Sequence, residues 1–321
     1  MEVKAPRRLI FVLSAALLTG CPRSPEQPAW PESKFNPGLT LKPAGRILGE
    51  KNTDLAEENA VPLTSALPQG EVPKDTTSLE KQYITAADEG QVWAQTRLGV
   101  LYARTENDPL RWEKAVRLLQ LAAGQGDGEA QYELAVMAAT GRGMPASDAE
   151  AFTYMNESAA RGVADAQYQL ASMYAGGRGT AADKQAAADW WRKAAAQNHI
   201  PAQFSLGCQL VESDGAGQKA EGVSWLKRAA GAGSRQAALF LAAVLARGEY
   251  GLAKDEVAAE ALLKPFADQG DPEAQFVVAW LYTFSDKFAD RRVLAREYLE
   301  MAAQRGHAEA AAALKSLPPV Q

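Results

Sequence analysis

Histidine and cysteine are nearly absent from this chain, which holds two of each among 321 residues. They are His199, His307, Cys21 and Cys208, and they lie too far apart in the sequence to form a recognisable zinc signature. Their spacing also assembles neither a Ser/His/Asp nor a Cys/His catalytic set. The sequence therefore predicts no metal site, no cofactor and no enzyme activity.

Clusters of basic residues and runs of β-branched residues are missing as well. The chain carries 34 Lys and Arg against 39 Asp and Glu, a net charge of −5, with no dense basic stripe. Binding to a phosphate backbone needs such a stripe, so nucleic acid is not an expected partner. Helix-forming residues dominate, and alanine is abundant after about residue 85, which predicts an all-α fold.

The apolar run at the N-terminus, Leu9 to Leu18, is shorter than the roughly 20 residues that cross a bilayer. It follows a basic segment that contains Lys4, Arg7 and Arg8. This order of a basic segment and a short apolar run is typical of a secretory signal peptide. We therefore expect residues 1–20 to be removed from the mature protein.

The apolar run ends in Leu18-Thr19-Gly20-Cys21, which resembles the lipobox of bacterial lipoproteins. The resemblance implies cleavage before Cys21 and acylation, for example with palmitate, of the new N-terminal cysteine. Several acyl chains on one residue anchor a protein stably to a membrane. Because Pro22 stands where Asp would favour the inner membrane, we expect an anchor in the outer membrane and a body in the periplasm. The alternative is an ordinary signal peptide, with Cys21 free to pair with Cys208.

Proline is concentrated in the segment that follows. Residues 22–75 contain nine of the 17 prolines and show no helical period. Proline interrupts helices, and a segment of this composition cannot bury enough apolar surface to fold alone. We interpret residues 21–77 as the lipidated cysteine and a tether. The tether is either a plain spacer or a segment that docks through side chains such as Trp30 and Phe35.

The rest of the chain repeats itself with a period near 36 residues. A residue suited to a tight turn recurs at Gly90, Gly126, Gly162, Asn198, Gly233, Gly270 and Gly306. Four residues after each turn comes an alanine, at Ala94, Ala130, Ala166, Ala202, Ala237, Ala274 and Ala310. Four residues later again comes an aliphatic residue, at Leu98, Leu134, Leu170, Leu206, Leu241, Val278 and Leu314. This spacing places both series on one face of a helix.

A second helix in each repeat is predicted from a large apolar residue that precedes the turn. These residues are Leu118, Tyr154, Trp190, Trp225, Leu262 and Tyr298. The turn residue supplies a left-handed helix stop, and Asp127, Ser234 and Asp271 then offer N-cap oxygens to the next helix. Each repeat is therefore a helix hairpin whose apolar face is buried by stacking on its neighbour. The predicted fold is an all-α solenoid of about seven such hairpins.

The segment Ala164 to Gly179 reads Ala-x-Ala-Gln-Tyr-x-Leu-Ala-x-Met-Tyr-x-Gly-Gly-x-Gly, and Ala187 to Ala195 reads Ala-x-x-Trp-Trp-Arg-Lys-Ala-Ala. Both resemble the Sel-1-like repeat, a relative of the tetratricopeptide repeat. The resemblance implies a right-handed α/α superhelical solenoid over residues 78–317, in a family of adaptors, scaffolds and inhibitors that are not usually enzymes. The Gly-x-Gly segments at 141–143 and 177–179 are interpreted as turns within hairpins and not as phosphate-binding loops.

Partner binding is expected on the first helices of the repeats, which line the concave face of tetratricopeptide-like superhelices. An in-register aromatic ladder comprises Tyr132, Tyr168, Phe204 and Phe276, and it is either a binding surface or part of the repeat core. Three further aromatic candidates, at positions that are small or polar in most other repeats, are Trp93, Trp280 and Phe284. Arg104 and Arg247, near the ends of first helices, are expected to pair with acidic groups of a partner.

The expected function is non-catalytic binding of a protein by a lipoprotein of the cell envelope. Two narrower alternatives remain open. One is an immunity protein that neutralises a periplasmic toxin, such as a secreted phospholipase effector, and the other is an assembly factor for secretion or exopolysaccharide export. The expected partners are therefore an effector enzyme or envelope machinery, together with a membrane reached through the N-terminal lipid. An enzyme acting on peptidoglycan or lipid is a third class, but no carboxylate stands out as its catalyst.

Overall fold

The computed structural model describes residues 76–105 and 107–316. The predicted signal peptide, Cys21, Trp30, Phe35 and nearly all of the predicted tether lie outside the described residues. Within the described residues the regular secondary structure is entirely helical, which confirms the predicted all-α fold. None of these helices is both long enough and apolar enough to cross a bilayer.

The described residues divide into two units, which meet in the sequence at His199 and Ile200. The N-terminal unit contains α1 (Thr76–Asp88), α2 (Val92–Ala103), α3 (Pro109–Gly124), α4 (Gly128–Thr140), α5 (Asp148–Ala160), α6 (Ala164–Gly176) and α7 (Lys184–Ala196). Helices α2 and α3, α4 and α5, and α6 and α7 pack as hairpins. Helix α1 packs on α2 and so takes the place of a second helix preceding the first full hairpin.

The C-terminal unit repeats this arrangement. It contains α8 (Ile200–Val211), α9 (Ala216–Gly231), α10 (Arg235–Arg247), α11 (Glu256–Asp268), α12 (Pro272–Phe284), the 3-10 helix η1 (Asp286–Arg291), α13 (Arg292–Gln304) and α14 (Ala308–Ser316). The hairpins are α8 with α9, α10 with α11, and α12 with α13. Helix α14 packs on α13 as the first helix of a further repeat.

The helix ends follow the predicted turn chemistry. The side chains of Asp127, Ser234 and Asp271 each accept a hydrogen bond from the backbone N–H three residues later, which confirms them as N-caps. Asn198 has a φ of 63° at the position where the other repeats have glycine. These caps and left-handed turns satisfy backbone groups that a helix end leaves unpaired, and they fix where each helix begins and ends.

The aliphatic series forms the core of each unit. Leu134 and Leu170 in the N-terminal unit and Leu206 in the C-terminal unit are completely buried. The residue after the aliphatic position is small, and where it is glycine the packing leaves no room for a side chain: a Cβ at Gly99 would lie 2.7 Å from Cγ of Leu119, and one at Gly207 would lie 2.6 Å from Cγ of Leu226. The second helix of a hairpin therefore packs directly over the Leu-small pair of the first helix.

A buried glutamine ties several first helices to the helix before them. Gln95, Gln167 and Gln275 each donate a side-chain hydrogen bond to the backbone carbonyl eight residues earlier. Gln167 also accepts a hydrogen bond of 2.9 Å from Gln197, at the end of its own hairpin. Because these buried amides bond to backbone and to neighbouring side chains, they fix the packing of consecutive hairpins.

The Gly-x-Gly segment between α6 and α7 is a packed turn. Gly179 has a φ of 65°, and a Cβ at this position would lie only 2.1 Å from the carbonyl oxygen of Asp148. Arg178 in the same turn donates a hydrogen bond of 2.8 Å to the Asp148 carboxylate. The turn therefore joins its hairpin to α5 of the preceding hairpin, which agrees with its interpretation as a structural element.

Candidate partner-binding surface

The predicted partner-binding side chains all lie on, or just after, first helices. In the N-terminal unit they are Trp93 on α2, Arg104 just after α2, Tyr132 on α4 and Tyr168 on α6. In the C-terminal unit they are Phe204 on α8, Arg247 at the end of α10, and Phe276, Trp280 and Phe284 on α12. Their burial and their contacts within the chain differ, and these differences decide which of them can meet a partner.

Phe204 and Phe276 are core residues. Only 6% of Phe204 and 4% of Phe276 is exposed, and both belong to the core of the C-terminal unit. The imidazole of His307 stacks on Phe276, with the ring centroids 4.6 Å apart. Of the two alternatives for the aromatic ladder, these two rings fit the repeat core, because other groups of the same unit cover them; their role in partner binding stays a prediction.

Tyr132 and Tyr168 are partly buried and keep some accessible surface. The ring of Tyr168 lies against the imidazole of His199, with centroids 4.8 Å apart. Burial raises the pKa of the Tyr132 phenol, and the nearby carboxylates of Asp165 and Glu133 raise it further. The hydroxyl of Tyr132 is therefore neutral at physiological pH and available as a hydrogen-bond donor.

Trp93 is held in place by the preceding helix. Its indole N–H donates a hydrogen bond of 2.6 Å to the side-chain oxygen of Gln91. Its ring meets that of Tyr83 edge to face, with centroids 6.1 Å apart, and Tyr83 is a buried residue of α1. Much of the aromatic surface of Trp93 is therefore used to pack α1 against α2.

Trp280 and Phe284 form an aromatic pair on α12. Their ring centroids are 5.6 Å apart, the ring planes are inclined by 49°, and both residues are partly exposed. The indole nitrogen of Trp280 is buried and has no hydrogen-bond acceptor among the described residues. The equivalent residue of the preceding first helix is the much smaller Ala243. The two aromatic side chains are thus larger than the repeat core requires, and the indole N–H of Trp280 lacks an acceptor.

Arg104 and Arg247 already have acidic neighbours in their own chain. The guanidinium of Arg104 lies 3.9 Å from the carboxylate of Glu133, and that of Arg247 lies 2.9 Å from the carboxylate of Glu249. The predicted pairing of these arginines with a partner must therefore compete with these internal contacts.

The N-terminal unit also contains a carboxylate cluster, formed by Glu129, Glu133 and Asp165, which the sequence did not reveal. Glu129 and Glu133 lie on α4, and Asp165 lies on α6. Only 9% of the Glu133 side chain is exposed. Burial raises the pKa of its carboxyl to about 7, Glu129 and Asp165 add to this rise, and Arg104 opposes it.

One signal for this cluster was present in the sequence. The position of Glu133 lies one residue beyond the aromatic ladder, and its equivalents in the next two first helices are the uncharged Gln169 and Ser205. A carboxylate at such a position breaks the repeat pattern. Spacing alone did not show that the side chain would be buried beside two other carboxylates.

The two histidines have matching structural roles. His307 accepts a hydrogen bond of 3.2 Å from the backbone N–H of Ala310 through Nδ1, and so caps α14. Its Nε2 lies 3.2 Å from Glu273, and Nε2 of His199 lies 3.1 Å from Asp165. In both cases the carboxylate belongs to the first helix of the preceding repeat, so each histidine links two consecutive repeats.

A family model described as the Sel1 repeat matches six consecutive segments of the chain. These segments are residues 94–127, 128–163, 164–199, 200–234, 235–271 and 272–307. Each begins at or within a first helix and runs to the turn before the next one. With α1 before them and α14 after them, the six segments agree with the prediction of about seven repeats.

Two solved structures resemble this chain at 26% sequence identity. One is c5321, a protective antigen present in uropathogenic Escherichia coli strains that displays an SLR fold, with a TM-score of 0.69 over 77% of this chain and 53% of that chain. This chain thus spans about half the length of that protein. The other is a Sel1 repeat protein from Oxalobacter formigenes, with a TM-score of 0.56 over 69% of this chain and 87% of that chain.

A third structure, immunity protein Pa5087 from Pseudomonas aeruginosa, is 21% identical over 66% of this chain and 83% of that chain. Its TM-score of 0.37 is too low to support an inference about this protein. No curated protein matches the chain significantly.

Proposed function

Because the chain belongs to the Sel1 repeat family, whose repeats are protein-interaction modules, we propose that it is a non-catalytic, lipid-anchored protein of the cell envelope that binds a protein partner through its first helices. In this proposal the partner protein binds the accessible side of the first helices. The N-terminal lipid holds the helical repeats at the periplasmic face of a membrane. Outer-membrane anchoring fits the sequence better than inner-membrane anchoring because Pro22 follows Cys21.

The observation that carries the binding proposal is the Trp280–Phe284 pair. Large aromatic side chains that remain partly exposed, in excess of what the core needs, are typical of interface hot spots. The indole N–H of Trp280 has no acceptor within the described chain, and an unmet buried donor is costly unless another molecule supplies an acceptor. A partner that covers the pair would bury its exposed aromatic surface, and a carbonyl or carboxylate oxygen of that partner would accept the hydrogen bond of the indole N–H.

Site-specific photocross-linking in the native cell tests the binding proposal. A photoreactive phenylalanine analogue placed at Phe284 should cross-link to a partner protein, and the Trp280→Ala change should reduce that product by about tenfold. The control position is Leu294, an apolar residue of α13 that is 42% exposed but lies on a second helix. Equal cross-linking from both positions would contradict the assignment of the first helices as the binding surface.

The anchoring proposal is tested separately, at Cys21. The lipobox-like sequence supports this proposal. Lipidation of Cys21 and a disulfide bond between Cys21 and Cys208 exclude each other, because both need the sulfur of Cys21. Mass spectrometry of the N-terminal peptide should show an acylated Cys21, and Cys21→Ser should move the protein from the membrane fraction to the soluble fraction. A disulfide-linked peptide pair that contains Cys21 and Cys208 would instead indicate that residues 1–20 are an ordinary signal peptide and that Cys21 is not lipidated.

A further inference from the structure

Helix α12 ends in an aromatic surface whose hydrogen-bond donor is unused. Trp280 and Phe284 lie one turn apart on this helix, their ring centroids are 5.6 Å apart, and both residues remain partly exposed. The indole nitrogen of Trp280 is buried and donates no hydrogen bond to any residue that the structure describes. A buried donor without an acceptor costs free energy, so this surface favours an occupant that brings an acceptor.

The side chains at this end of α12 favour an uncharged occupant. Phe284 stands at the position where two earlier first helices carry arginine, Arg104 and Arg247. Trp280 stands where the preceding first helix carries the small Ala243. The two side chains therefore offer two rings and one N–H group but no charge, which suits a segment with apolar side chains and accessible carbonyl oxygens.

Proline-containing segments have this combination of groups. Proline has no N–H group, and it disfavours the helical conformation in the residue before it, so the carbonyl oxygens around it are not used within a helix. Such segments form polyproline II helices without internal hydrogen bonds, and grooves lined by aromatic side chains bind them at a low cost in conformational entropy. An indole N–H beside a second ring can therefore bind a carbonyl next to proline while the rings pack against the proline side chains.

The chain itself contains such a segment directly after α14. This helix ends at Ser316, and the sequence that follows reads Leu317-Pro318-Pro319-Val320-Gln321. The segment lies outside the described residues. It has two consecutive prolines and no charged side chain, so its composition matches the occupant that the aromatic surface favours.

Contacts at the start of α14 place the end of this helix beside the aromatic pair. The ring of His307, which caps α14, stacks on Phe276 of α12 with the ring centroids 4.6 Å apart. Helices α12 and α14 each pack on α13 and are joined to it by short connections, so they run in the same direction. Trp280 and Phe284 lie one and two turns beyond Phe276, and Ser316 lies about two and a half turns beyond His307. The chain therefore leaves α14 at about the level of Phe284.

The segment that follows α14 is long enough to cover both rings. Each residue of a polyproline II helix advances about 3.1 Å, so residues 317–321 span about 15 Å. Trp280 and Phe284 are separated by about 6 Å along the axis of α12. The segment can thus lie across the pair without a change in the described helices.

We propose that the Trp280–Phe284 pair is a binding site for an extended, proline-containing segment, and that Leu317–Gln321 of the same chain occupies it. A carbonyl oxygen next to proline in this segment accepts the indole N–H of Trp280, and the proline rings pack against Phe284. This docking needs no partner. Its regulatory consequence rests on the proposed function: a protein partner that binds the pair has to displace the segment, so the segment lowers the affinity for that partner.

NMR of the indole N–H groups in the purified full chain in detergent tests the docking. The chain contains seven tryptophans, and the cross-peak of Trp280 is the one that Trp280→Phe removes. Replacement of residues 317–321 by a glycine–serine segment of equal length should shift this cross-peak upfield and raise its rate of exchange with water by about tenfold. The indole N–H of Trp93, which is bonded to Gln91 in the N-terminal unit, should not change.

Two further variants separate the docking from a general effect on α14. Pro318→Ser combined with Pro319→Ser keeps the length of the segment and should reproduce most of the change at Trp280. Lys315→Gln alters an exposed side chain of α14 and should leave the cross-peak of Trp280 as it is in the natural chain. An identical cross-peak in the natural chain and in both segment variants overturns the proposal.

Photocross-linking of the isolated protein identifies the occupant of the pair. With the photoreactive phenylalanine analogue at Phe284, mass spectrometry should find a link to Leu317–Gln321 of the same chain. A link to residues 22–75 would assign the pair to the proline-rich tether. A link between isotope-labelled and unlabelled chains in a mixture would assign it to a second copy. Either of these results, or no link at all, contradicts the proposal.

The docking and the proposed function can fail independently. Replacement of residues 317–321 should increase the partner product that forms from Phe284 in the native cell, and an unchanged yield would show that the segment does not compete with the partner. If no partner product forms even without the segment, the proposed function and the competition both fail, whereas the docking is still judged from the NMR and cross-linking of the isolated protein.

Discussion

The carboxylate of Glu133 lies 3.9 Å from the guanidinium of Arg104, close enough for Coulombic attraction but too far for a hydrogen bond. Arg104 follows the end of α2, and Glu133 lies on α4, so the contact joins two consecutive first helices. Burial lowers the pKa of Arg104 and raises that of Glu133, although each charge stabilises the other. The desolvation of the two charges therefore outweighs their Coulombic attraction, and the contribution of this pair to the free energy of unfolding depends on pH.

Glu133→Gln should make the N-terminal unit less sensitive to pH. The folded pKa of about 7 exceeds the ordinary value of 4.5, so the folded state holds the proton more tightly than the unfolded state. Stability from this group is complete below about pH 4.5 and is lost as the pH rises through about 7. We expect the free energy of unfolding of the variant, relative to that of the natural chain, to increase by up to roughly 3 kcal/mol between the acidic and the alkaline end of this range. Urea unfolding at a series of pH values measures this difference.

Glu113→Gln is the matched control for that measurement, because it removes an exposed carboxylate that lies outside the cluster. Its free energy of unfolding should run parallel to that of the natural chain at every pH. A Glu133→Gln profile that is also parallel would show that Glu133 has the same protonation in the folded and unfolded states.

Gly179→Ala should destabilise the N-terminal unit by about 2 to 4 kcal/mol. The φ of 65° disfavours a side chain, and the new Cβ would collide with the carbonyl oxygen of Asp148. Gly124→Ala is the control, because a Cβ there meets nothing within 4 Å and the residue lies in helix α3. That change should be neutral or stabilising by up to about 1 kcal/mol. Thermal unfolding of both variants decides the point, and equal midpoints would refute the packing of this turn.

Gln167→Leu should cost about 1 kcal/mol although it makes the core more apolar. The glutamine bonds both to the carbonyl of Ala159 and to the amide of Gln197, and its loss removes both hydrogen bonds, although each of these groups keeps one other partner, the backbone of Gly162. Gln169→Leu on the same helix is the control, since Gln169 makes no hydrogen bond among the described residues. Chemical denaturation compares the two variants, and a stabilised Gln167→Leu would mean that the glutamine does not tie the hairpins together.

His307→Ala should loosen α14 before it affects the rest of the C-terminal unit. The change removes the N-cap of α14, the contact with Glu273 and the stacking on Phe276, at a cost of about 1 to 2 kcal/mol. His307→Asn keeps a capping oxygen and should recover part of that loss. Hydrogen exchange of residues 308–316 reports the effect, and unchanged protection in His307→Ala would show that the histidine does not hold this helix.

The repeat pattern was sufficient to predict the helices and the core positions of the first helices, whereas on the second helices the buried residue lies one position after most members of the predicted series, as at Leu119, Met155 and Leu263. Leu134, Leu170 and Leu206 recur at the helical period, and a side chain at that position faces the second helix of its own hairpin whatever the sequence around it. The N-caps at Asp127 and Asp271 were predictable for the same reason, because capping depends on residues within one turn. These features are local, and a local pattern contains the information that fixes them.

The accessible surface was less predictable. Phe204 and Phe276 share their register with Tyr132 and Tyr168, yet the two phenylalanines are buried and the two tyrosines remain partly exposed. Register shows which side of a helix a residue occupies, but burial also depends on which group covers that side. Over Phe276 this group is the ring of His307, and the ring of His199 lies over Tyr168 at the same spacing. The spacing therefore locates the covering ring, but it does not show how much of the ring below stays exposed.

The sequence by itself determined that the chain forms stacked helix hairpins, where each hairpin begins and ends, and which aliphatic residues of the first helices fill the core, because these properties follow from the helical period and from turn chemistry. Only the tertiary structure decided that Glu133 is buried beside Glu129 and Asp165, and that Trp280 is left with an unmet donor. Desolvation and charge interactions depend on distances between residues that are remote in the chain. The repeat period brings such residues into adjacent helices, but it does not reveal how deeply each side chain is buried there.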